Sequence, residues 1–354
     1  MKIGMIAPIW YPIPPKGYGG IELVVSLLAD GLVEAGHDVT LFASGDSRTK
    51  ARLISSYDVA PSALIGQTYP DLYHVLHAYL DDTGDYDIIH DHSGIIGPAI
   101  GAFSKYPVLH TLHGPASMEA KEIYGMLDPR IYLNAISNYQ KECFGDLNWA
   151  GVVYNAIDID KYPYRDEKDD YLLFLGRMNP EKGPDAAIRV ARAAGRKLIM
   201  VTKMVELAER RYFDEHVRPL LADDVQVMGE IDLATKADLF GRAYCTLFPI
   251  KWPEPFGLVM IESLATGTPV VAIKGGAVPE VIDDGQTGFI VPDESAMAEA
   301  VENVDSIDPR NCRRAAEERF SSSRMVADYE KIYSQIVAKE AACRPEWRNL
   351  RDIS

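Results

Sequence analysis

Two stretches of apolar residues, each followed by a turn and then by apolar positions at helical spacing, open the two halves of the chain. Residues 3–8 are nearly all apolar and predict a buried strand. A loop over 9–20 follows. In residues 21–35 Leu23, Leu27, Leu28 and Leu32 recur at the spacing of one helix face. Gly36-His37-Asp38 ends that helix, and residues 39–43 predict the next strand. The pattern restarts at residues 171–176, with a helix predicted over 183–194 and a strand over 197–202. Short apolar runs at 88–90, 108–111, 132–136, 152–154, 225–228, 245–249, 269–273 and 288–291 predict further buried strands. Strands that are apolar on both faces and alternate with helices imply parallel sheets covered on both sides. Two such series imply an α/β chain of two Rossmann-like domains. The junction falls within 155–165, and the charged residues 166–170 form a loop just after it. The expected division is 1–158 for the N-terminal domain and 159–323 for the C-terminal one. Residues 322–340, with Met325, Tyr329, Ile332, Tyr333 and Ile336 on one face, predict a last helix. Residues 324–354 are expected to be that helix and a tail, returning to the N-terminal domain.

The bulk numbers agree and exclude some partners. A chain of 354 residues, 47% hydrophobic, exceeds one ordinary core and suits two domains. A net charge of −16 argues against nucleic acid and against an anionic membrane surface. Residues 1–160 carry 9 Lys and Arg against 19 Asp and Glu, so the −10 of that part leaves −6 for the rest and neither half is basic. The short basic run at 48–52 reads as a solvated loop. Cys143, Cys245, Cys312 and Cys343 are far apart and form no C-x-x-C, which suits reduced thiols in a cytoplasmic protein. No apolar run approaches the ~20 residues of a membrane span, so there is no strong membrane signal. The apolar start is too short for a signal sequence and lacks a small-residue cleavage site.

Chemistry concentrates in a few segments. Residues 252–265, from Trp252 through Pro253-Glu254-Pro255-Phe256-Gly257-Leu258 to Glu262 and Ala265, set two carboxylates eight positions apart across a Pro/Gly elbow that runs into an apolar helix. Glu254 falls at the mouth of the turn. Glu262 falls about a turn and a half inside the helix and, counted at 3.6 residues per turn, on the same side. The N–H groups of Phe256, Gly257 and Leu258 open a helix N-terminus, which is an anion site. Two hydroxyl-reading carboxylates beside a phosphate-reading helix end suit a nucleotide sugar. In Gly176-Arg177-Met178-Asn179-Pro180-Glu181-Lys182-Gly183, two cations lie between a strand and a helix. They suit a diphosphate, or else decorate a solvated turn. Gly17-Tyr18-Gly19-Gly20-Ile21-Glu22 allows a close backbone approach to a ligand, or is a structural turn. Glu22 replaces the third glycine of G-x-G-x-x-G, so no NAD site is read from it. His113 leaves a strand tip before Gly114-Pro115, whereas His110 reads as a sheet-face residue. His90-Asp91-His92 offers no third ligand at metal-site spacing, and the D-x-D strings at 85–87 and 158–160 fall in loops of an acidic chain. There is no G-x-S-x-G elbow, Walker loop or H-E-x-x-H.

With Gly19-Gly20, His113, Arg177, Lys182, Glu254 and Glu262 in that order, the chain resembles family 4 of the retaining glycosyltransferases over nearly its whole length. The E-P-F-G-L-x-x-x-E element is the most specific part, and 267–271 and 280–288 add to it. The resemblance implies the GT-B fold, two Rossmann-like domains with parallel sheets facing across a cleft. It also implies a donor that is a nucleoside-diphosphate sugar. Arg177 and Lys182 then bind the departing diphosphate, Glu254 reads hydroxyls of the donor sugar and Glu262 those of the ribose. The Phe256, Gly257 and Leu258 amides assist, and His113 contacts the sugar near its reacting carbon. Gly19 and Gly20 approach the diphosphate, and Ser137 lines the same cleft. Lys203 stands where relatives commonly have a glycine-containing turn, as a phosphate or base contact or as a plain surface residue. Trp10 and Tyr11, in a proline-rich loop, either stack on an acceptor ring or pack within the loop. Charge gives the expected mechanism. Fixed cations stabilise the leaving group, so neither a metal nor another cofactor is needed. The resemblance implies that the sugar retains its configuration, which front-face attack would give, with double displacement the other route. The acceptor is expected to be a small molecule or saccharide. A nucleotide-sugar epimerase and a non-catalytic nucleotide-sugar-binding protein are the competing readings. A phosphorylase would need a cofactor lysine and far greater length.

Overall fold

The structure, a computed structural model, describes residues 1–17, 19–80, 84–127 and 129–343. It divides into two compact units. Among the described residues, the first comprises Met1–Pro15, Gly19–Tyr154 and Ser322–Cys343; the second comprises Lys16, Gly17 and Asn155–Ser321.

In the first unit seven strands, β1 (Lys2–Ile6), β2 (Asp38–Ala43), β3 (Arg52–Ser55), β4 (Ile88–Asp91), β5 (Val108–Thr111), β6 (Tyr132–Ala135) and β7 (Trp149–Val152), form one sheet in the order β3-β2-β1-β4-β5-β6-β7. All pairings are parallel. The helices are α1 (Gly20–Glu34), α2 (Thr68–Leu80), α3 (Ile96–Gly101), α4 (Met118–Leu127) and α5 (Asn138–Phe144). The second unit holds β8 (Tyr171–Arg177), β9 (Lys197–Lys203), β10 (Val225–Met228), β11 (Cys245–Phe248), β12 (Val270–Ile273) and β13 (Gly288–Val291), ordered β10-β9-β8-β11-β12-β13 and again all parallel. Its helices are α6 (Pro184–Ala193), α7 (Leu207–Tyr212), α8 (Leu233–Arg242), α9 (Leu258–Ala265), α10 (Val278–Val281), α11 (Glu294–Val301) and α12 (Pro309–Phe320). Parallel neighbours need a crossover; helices supply it for most pairs and cover both faces of each sheet, while residues 44–51 join β2 to β3 without a helix. Hence central-strand residues such as Ile3, Met5, Leu172 and Leu173 are wholly buried, each contributing about 1.5–3 kcal/mol of hydrophobic free energy.

The strand order reverses between β1 and β4 in one sheet and between β8 and β11 in the other. In doubly wound sheets the crevice for ligands lies outside the carboxyl ends of the strands at such a reversal. The last helix, α13 (Ser322–Cys343), belongs to the first unit. Its Met325, Tyr329, Ile332, Tyr333 and Ile336 are buried, as their spacing predicts. The tail beyond residue 343 lies outside the described residues.

Most expected elements appear within a residue or two of their expected ends. Two do not. The last strand of the first sheet is Trp149–Val152, not 152–154, because pairing with β6 sets its position through a bulge between Leu133 and Asn134. The basic run at 48–52 is a loop only as far as Ala51, and Arg52 starts the edge strand β3. An edge strand pairs on one side only and carries no fully buried residue here, so it has no apolar signature. Among the described residues no helix is long and apolar enough to cross a membrane.

Candidate active site

At the reversal in the second unit, the loops after β8 and β11 are locked together. Lys182, in the first loop, donates from Nζ to Glu254 Oε2 in the second. Trp252 Nε1–H donates to the same carboxylate oxygen at 2.9 Å, and the Lys182 ammonium lies 4.6 Å from the centre of the Trp252 ring. The backbone matches these contacts. Lys251 N–H donates to Glu181 O at 2.8 Å, and Ala277 N–H, in the loop after β12, donates to Glu254 O at 2.9 Å. Gly183 is required here. Its φ is +68°, and a Cβ would stand 2.2 Å from Pro249 O, so any side chain would push the two loops apart. Glu254 is therefore held at both its backbone and its carboxylate, as a preorganised polar group must be.

Arg177 ends β8 directly opposite Lys203, the end of β9. Its Nε donates to Glu209 at 2.8 Å and its Nη2 to Glu206 at 2.6 Å. Both glutamates open α7, where Glu209 also accepts from the N–H groups of Val205 and Glu206 as part of a capping box. Burial alone would raise the Glu209 carboxyl; the Glu206 N–H, the Arg177 guanidinium and the Val205 N–H outweigh it and hold the group below its ordinary range. Lys203 is half-buried, and its carbonyl accepts from Met178 N–H at 3.2 Å.

Helix α9 begins at Leu258, with Gly257 as its N-cap. Glycine has no side chain to cap the first turn, so nothing from Gly257 competes for the leading N–H groups. The Phe256 ring is buried edge-to-face against Phe320, with centroids 5.9 Å apart. The ring is therefore closed to a ligand. Glu262 is the fifth residue of α9 and 3% exposed. Its Oε1 accepts from Lys236 Nζ of α8 at 2.5 Å and from Tyr162 O–H at 2.7 Å. Burial first, and then Glu262, push the Tyr162 phenol far above its ordinary range. The two carboxylates do not share one helix face. Helical counting applies only from Leu258 on, and Glu254 lies in the loop before it. Glu254 consequently meets the loop after β8, whereas Glu262 meets α8 and Tyr162.

In the first unit Gly19 is the N-cap of α1 and Gly20 its first residue, again without a capping side chain. Ser137 is buried and caps α5, its hydroxyl accepting from Gln140 N–H at 3.0 Å. His113 follows β5. Its Nε2 lies 2.9 Å from His92 Nδ1, with the rings stacked at 5.2 Å. Burial first, then the nearby His110, hold His113 well below the ordinary histidine range, so its imidazole is neutral at physiological pH. Behind this pair His90 is bonded to Tyr333 and Thr111, at 2.6 and 2.8 Å. His90 and His92, a weak metal pair in the sequence, thus serve as the wall against which His113 is set. His110 is buried at the sheet face, bonded at 3.0 Å to the Tyr124 hydroxyl.

Residues 18–161 match the family model for Glycosyltransferase Family 4, and residues 157–319 match that for Glycosyl transferases group 1. The chain belongs to glycosyltransferase family 4. Among curated relatives of this glycosyltransferase, the phosphatidyl-myo-inositol mannosyltransferase of Mycolicibacterium smegmatis is 28% identical, over 95% of this chain and 94% of that protein. AviGT4, a glycosyltransferase involved in avilamycin A biosynthesis, has a crystal structure similar at a TM-score of 0.73 and 26% identity, over 96% and 98% of the two chains. HepE of Anabaena, solved in complex with UDP, shares the fold at a TM-score of 0.72 and 21% identity, over 95% and 100%.

Within the glycosyltransferase, several groups that meet the predicted residues were not singled out by sequence reasoning. Trp252 stood in the quoted segment without a role, and it contacts both Lys182 and Glu254. Tyr162, Lys236, Glu206 and Glu209 belong to no motif, and each reaches its partner only through the fold.

Proposed function

We propose that this glycosyltransferase moves a hexose from a nucleoside-diphosphate sugar to a hydroxyl of a small-molecule or saccharide acceptor. Configuration is retained and no metal takes part. The observation that carries the reading is the Lys182–Glu254–Trp252 cluster at the strand reversal of the second unit, with Arg177 ending the strand that leads into it. A leaving nucleoside diphosphate gains negative charge as its bond to the sugar breaks. Lys182 and Arg177 offset that charge as fixed cations, and the α6 and α9 N-termini add their dipoles. Glu254 accepts from donor-sugar hydroxyls and Glu262 from the ribose. His113, held neutral, is suited to hydrogen-bond the sugar without repelling the positive charge that develops on it. Glu254 and Glu262 are already engaged by Lys182, Trp252, Lys236 and Tyr162, which fits a front-face route better than a carboxylate nucleophile. In that route the acceptor's proton passes to the leaving phosphate oxygen. The UDP held by HepE agrees with this donor class.

The test is a thermal-shift panel of UDP-, GDP-, ADP- and dTDP-sugars with and without EDTA. The reading expects one donor to raise Tm equally in both. A shift that vanishes in EDTA would remove the metal-free claim, and no shift from any donor would remove the donor class.

A further inference from the structure

Glu254 and Glu262 are held in the same way. One oxygen of Glu254, Oε2, takes both Lys182 Nζ and Trp252 Nε1–H, and the ammonium lies 4.6 Å from the centre of the indole. One oxygen of Glu262, Oε1, takes both Lys236 Nζ at 2.5 Å and Tyr162 O–H at 2.7 Å, and that ammonium lies 6.0 Å from the centre of the phenol ring. A carboxylate oxygen has room for about two hydrogen bonds, so Oε1 is full. Glu262 Oε2 has no hydrogen-bond partner among the described residues, yet it is not closed off from solvent. A lysine that served only to neutralise a buried carboxylate would have no reason to share one oxygen with a tyrosine and leave the other bare.

The position of the group points to a ligand. Helix α8 follows the carboxyl end of β10 and α9 that of β11, so both helices begin at the end of the sheet where ligands bind. Lys236 is the fourth residue of α8 and Glu262 the fifth of α9. The Lys236 side chain is 21% exposed, and only one of its three N–H donors is spent on Glu262. Tyr162 is fixed from behind. Arg313 Nη1 donates to its carbonyl at 2.6 Å and to Ala265 O, the last residue of α9, at 2.8 Å. Burial first, and then Glu262, push the phenol far above its ordinary range, so its hydroxyl stays a donor. Oε1 is thus tied to the protein, and Oε2 is the oxygen presented.

We propose that Lys236 reads the donor's ribose together with Glu262: one hydroxyl of the 2′,3′-diol donates to Glu262 Oε2, the other accepts from Lys236 Nζ, and Tyr162 is the positioning residue that holds the carboxylate for this. The inference rests on the glycosyltransfer reading, which supplies the ribose and the part of Glu262, and adds Lys236, Tyr162 and the polarity of each hydroxyl's bond. An adjacent acceptor and donor match a vicinal diol, each of whose hydroxyls can act in either sense. The charges of Lys236 and Glu262 offset each other, so the pair suits a neutral diol and not a further phosphate.

The experiment is calorimetric titration of the whole protein with UDP, GDP and ADP, each as its ribose, 2′-deoxy and 3′-deoxy form. Each missing hydroxyl leaves a charged group unpaired, so both deoxy forms should bind about tenfold or more weakly than the ribose form. In Lys236→Met one of the two deoxy forms should bind as well as the ribose form, while the other keeps its penalty. Lys236→Arg, which keeps a cationic donor, should restore the lost penalty. In Tyr162→Phe the other penalty should shrink, since Oε2 is then no longer held in place. A purely structural loss would weaken all three forms equally and leave both penalties intact. The proposal is overturned if either deoxy form binds the parent as tightly as the ribose form, or if Lys236→Met leaves both penalties standing. It is also overturned if Lys236→Met abolishes both, which would show Lys236 acting through Glu262 alone, or if Tyr162→Phe changes neither. Should Lys236→Met fail to fold, Lys236→Gln takes its place, and its neutral donor should shrink the same single penalty. Failure of UDP, GDP and ADP alike to bind the parent overturns the glycosyltransfer reading itself, whereas binding without this pattern overturns the Lys236 and Tyr162 assignment alone.

Discussion

At the scale of single residues, the candidate site is defined by what holds each charged group in place. Lys182 is matched by Glu254, Arg177 by Glu206 and Glu209, and Glu262 by Lys236 and Tyr162. Each pairing fixes a side chain that would otherwise lose rotamer freedom on binding. Lys182→Ala should lower kcat by on the order of 10²-fold, the scale of losing one transition-state donor. An effect confined to Tm would return Lys182 to the surface. Trp252→Phe keeps a ring under the ammonium and deletes one N–H donor to Glu254. It should cost about 1 kcal/mol, or roughly fivefold in kcat/KM, as steady-state kinetics would show. Glu262→Ala should raise the donor KM with little change in kcat, and an unaltered donor affinity would withdraw its ribose role. The motif residues themselves were legible because cations and carboxylates beside glycine turns are visible one by one. Their partners were not, because Trp252, Tyr162 and Lys236 become meaningful only when a loop or helix brings them alongside.

At the scale of elements, the way a helix begins separates two kinds of work. Helices α1, α6 and α9 start at Gly19, Gly183 and Gly257, with no side-chain cap. By contrast α5, α8, α11 and α12 start at Ser137, Asp232, Asp293 and Asp308, whose side chains accept from the first turn. A side-chain cap competes for the N–H groups that an anion would use, so the glycine starts suit ligand-facing ends and the others suit stability. Ser137→Ala should therefore cost about 1 kcal/mol of stability by chemical denaturation and leave the donor KM unmoved. A raised donor KM at unchanged stability would instead give Ser137 the donor contact that the family resemblance implies. Periodicity located the long helices and buried strands well because covered faces leave a regular apolar record. It was silent on β3, whose half-buried residues record no face, and it misplaced β7, whose position depends on its pairing with β6.

At the scale of the whole molecule, the two units carry different titrating groups. In the first unit His74, His90, His92 and His113 are all held below the ordinary histidine range, each chiefly by burial. The second unit has a single histidine, the exposed His216. A histidine depressed in the folded state takes up its proton more readily when unfolded. Its contribution to stability is thus present above about pH 6.5 and is lost as pH falls below that value. Asp71 acts in the opposite sense: burial, then Asp91, raise it to about 6, so its protonated form favours the fold and that contribution fades as pH rises through about 6. Four groups outweigh one. The second unit's Asp185 is lowered to about 2, where Tyr212, Arg189 and Lys251 overcome its burial, so its contribution holds until pH falls below 3.8. Calorimetry between pH 7.5 and 5 should therefore show the first unit losing Tm while the second changes little. Equal losses in both units would refute this asymmetry.

What the sequence determined by itself was the class of architecture and the principal chemical groups. Continuous apolar runs alternating with amphipathic ones leave little choice but parallel sheets between helices. Glycine turns after buried strands mark where such sheets bind ligands, and Arg177, Lys182 and Glu254 are legible as charges placed at those turns, with Glu262 in the helix that follows. What only the tertiary structure decided was which groups meet. Glu254 and Glu262 are eight residues apart, yet they face different partners because one lies in a loop and the other in a helix. Asp71 and His92 are 21 residues apart on different elements, and they line one cavity because α2 and the end of β4 converge there. Short-range pattern records which face of an element is covered. It holds no record of what covers that face, since that contact is made between segments distant in the chain.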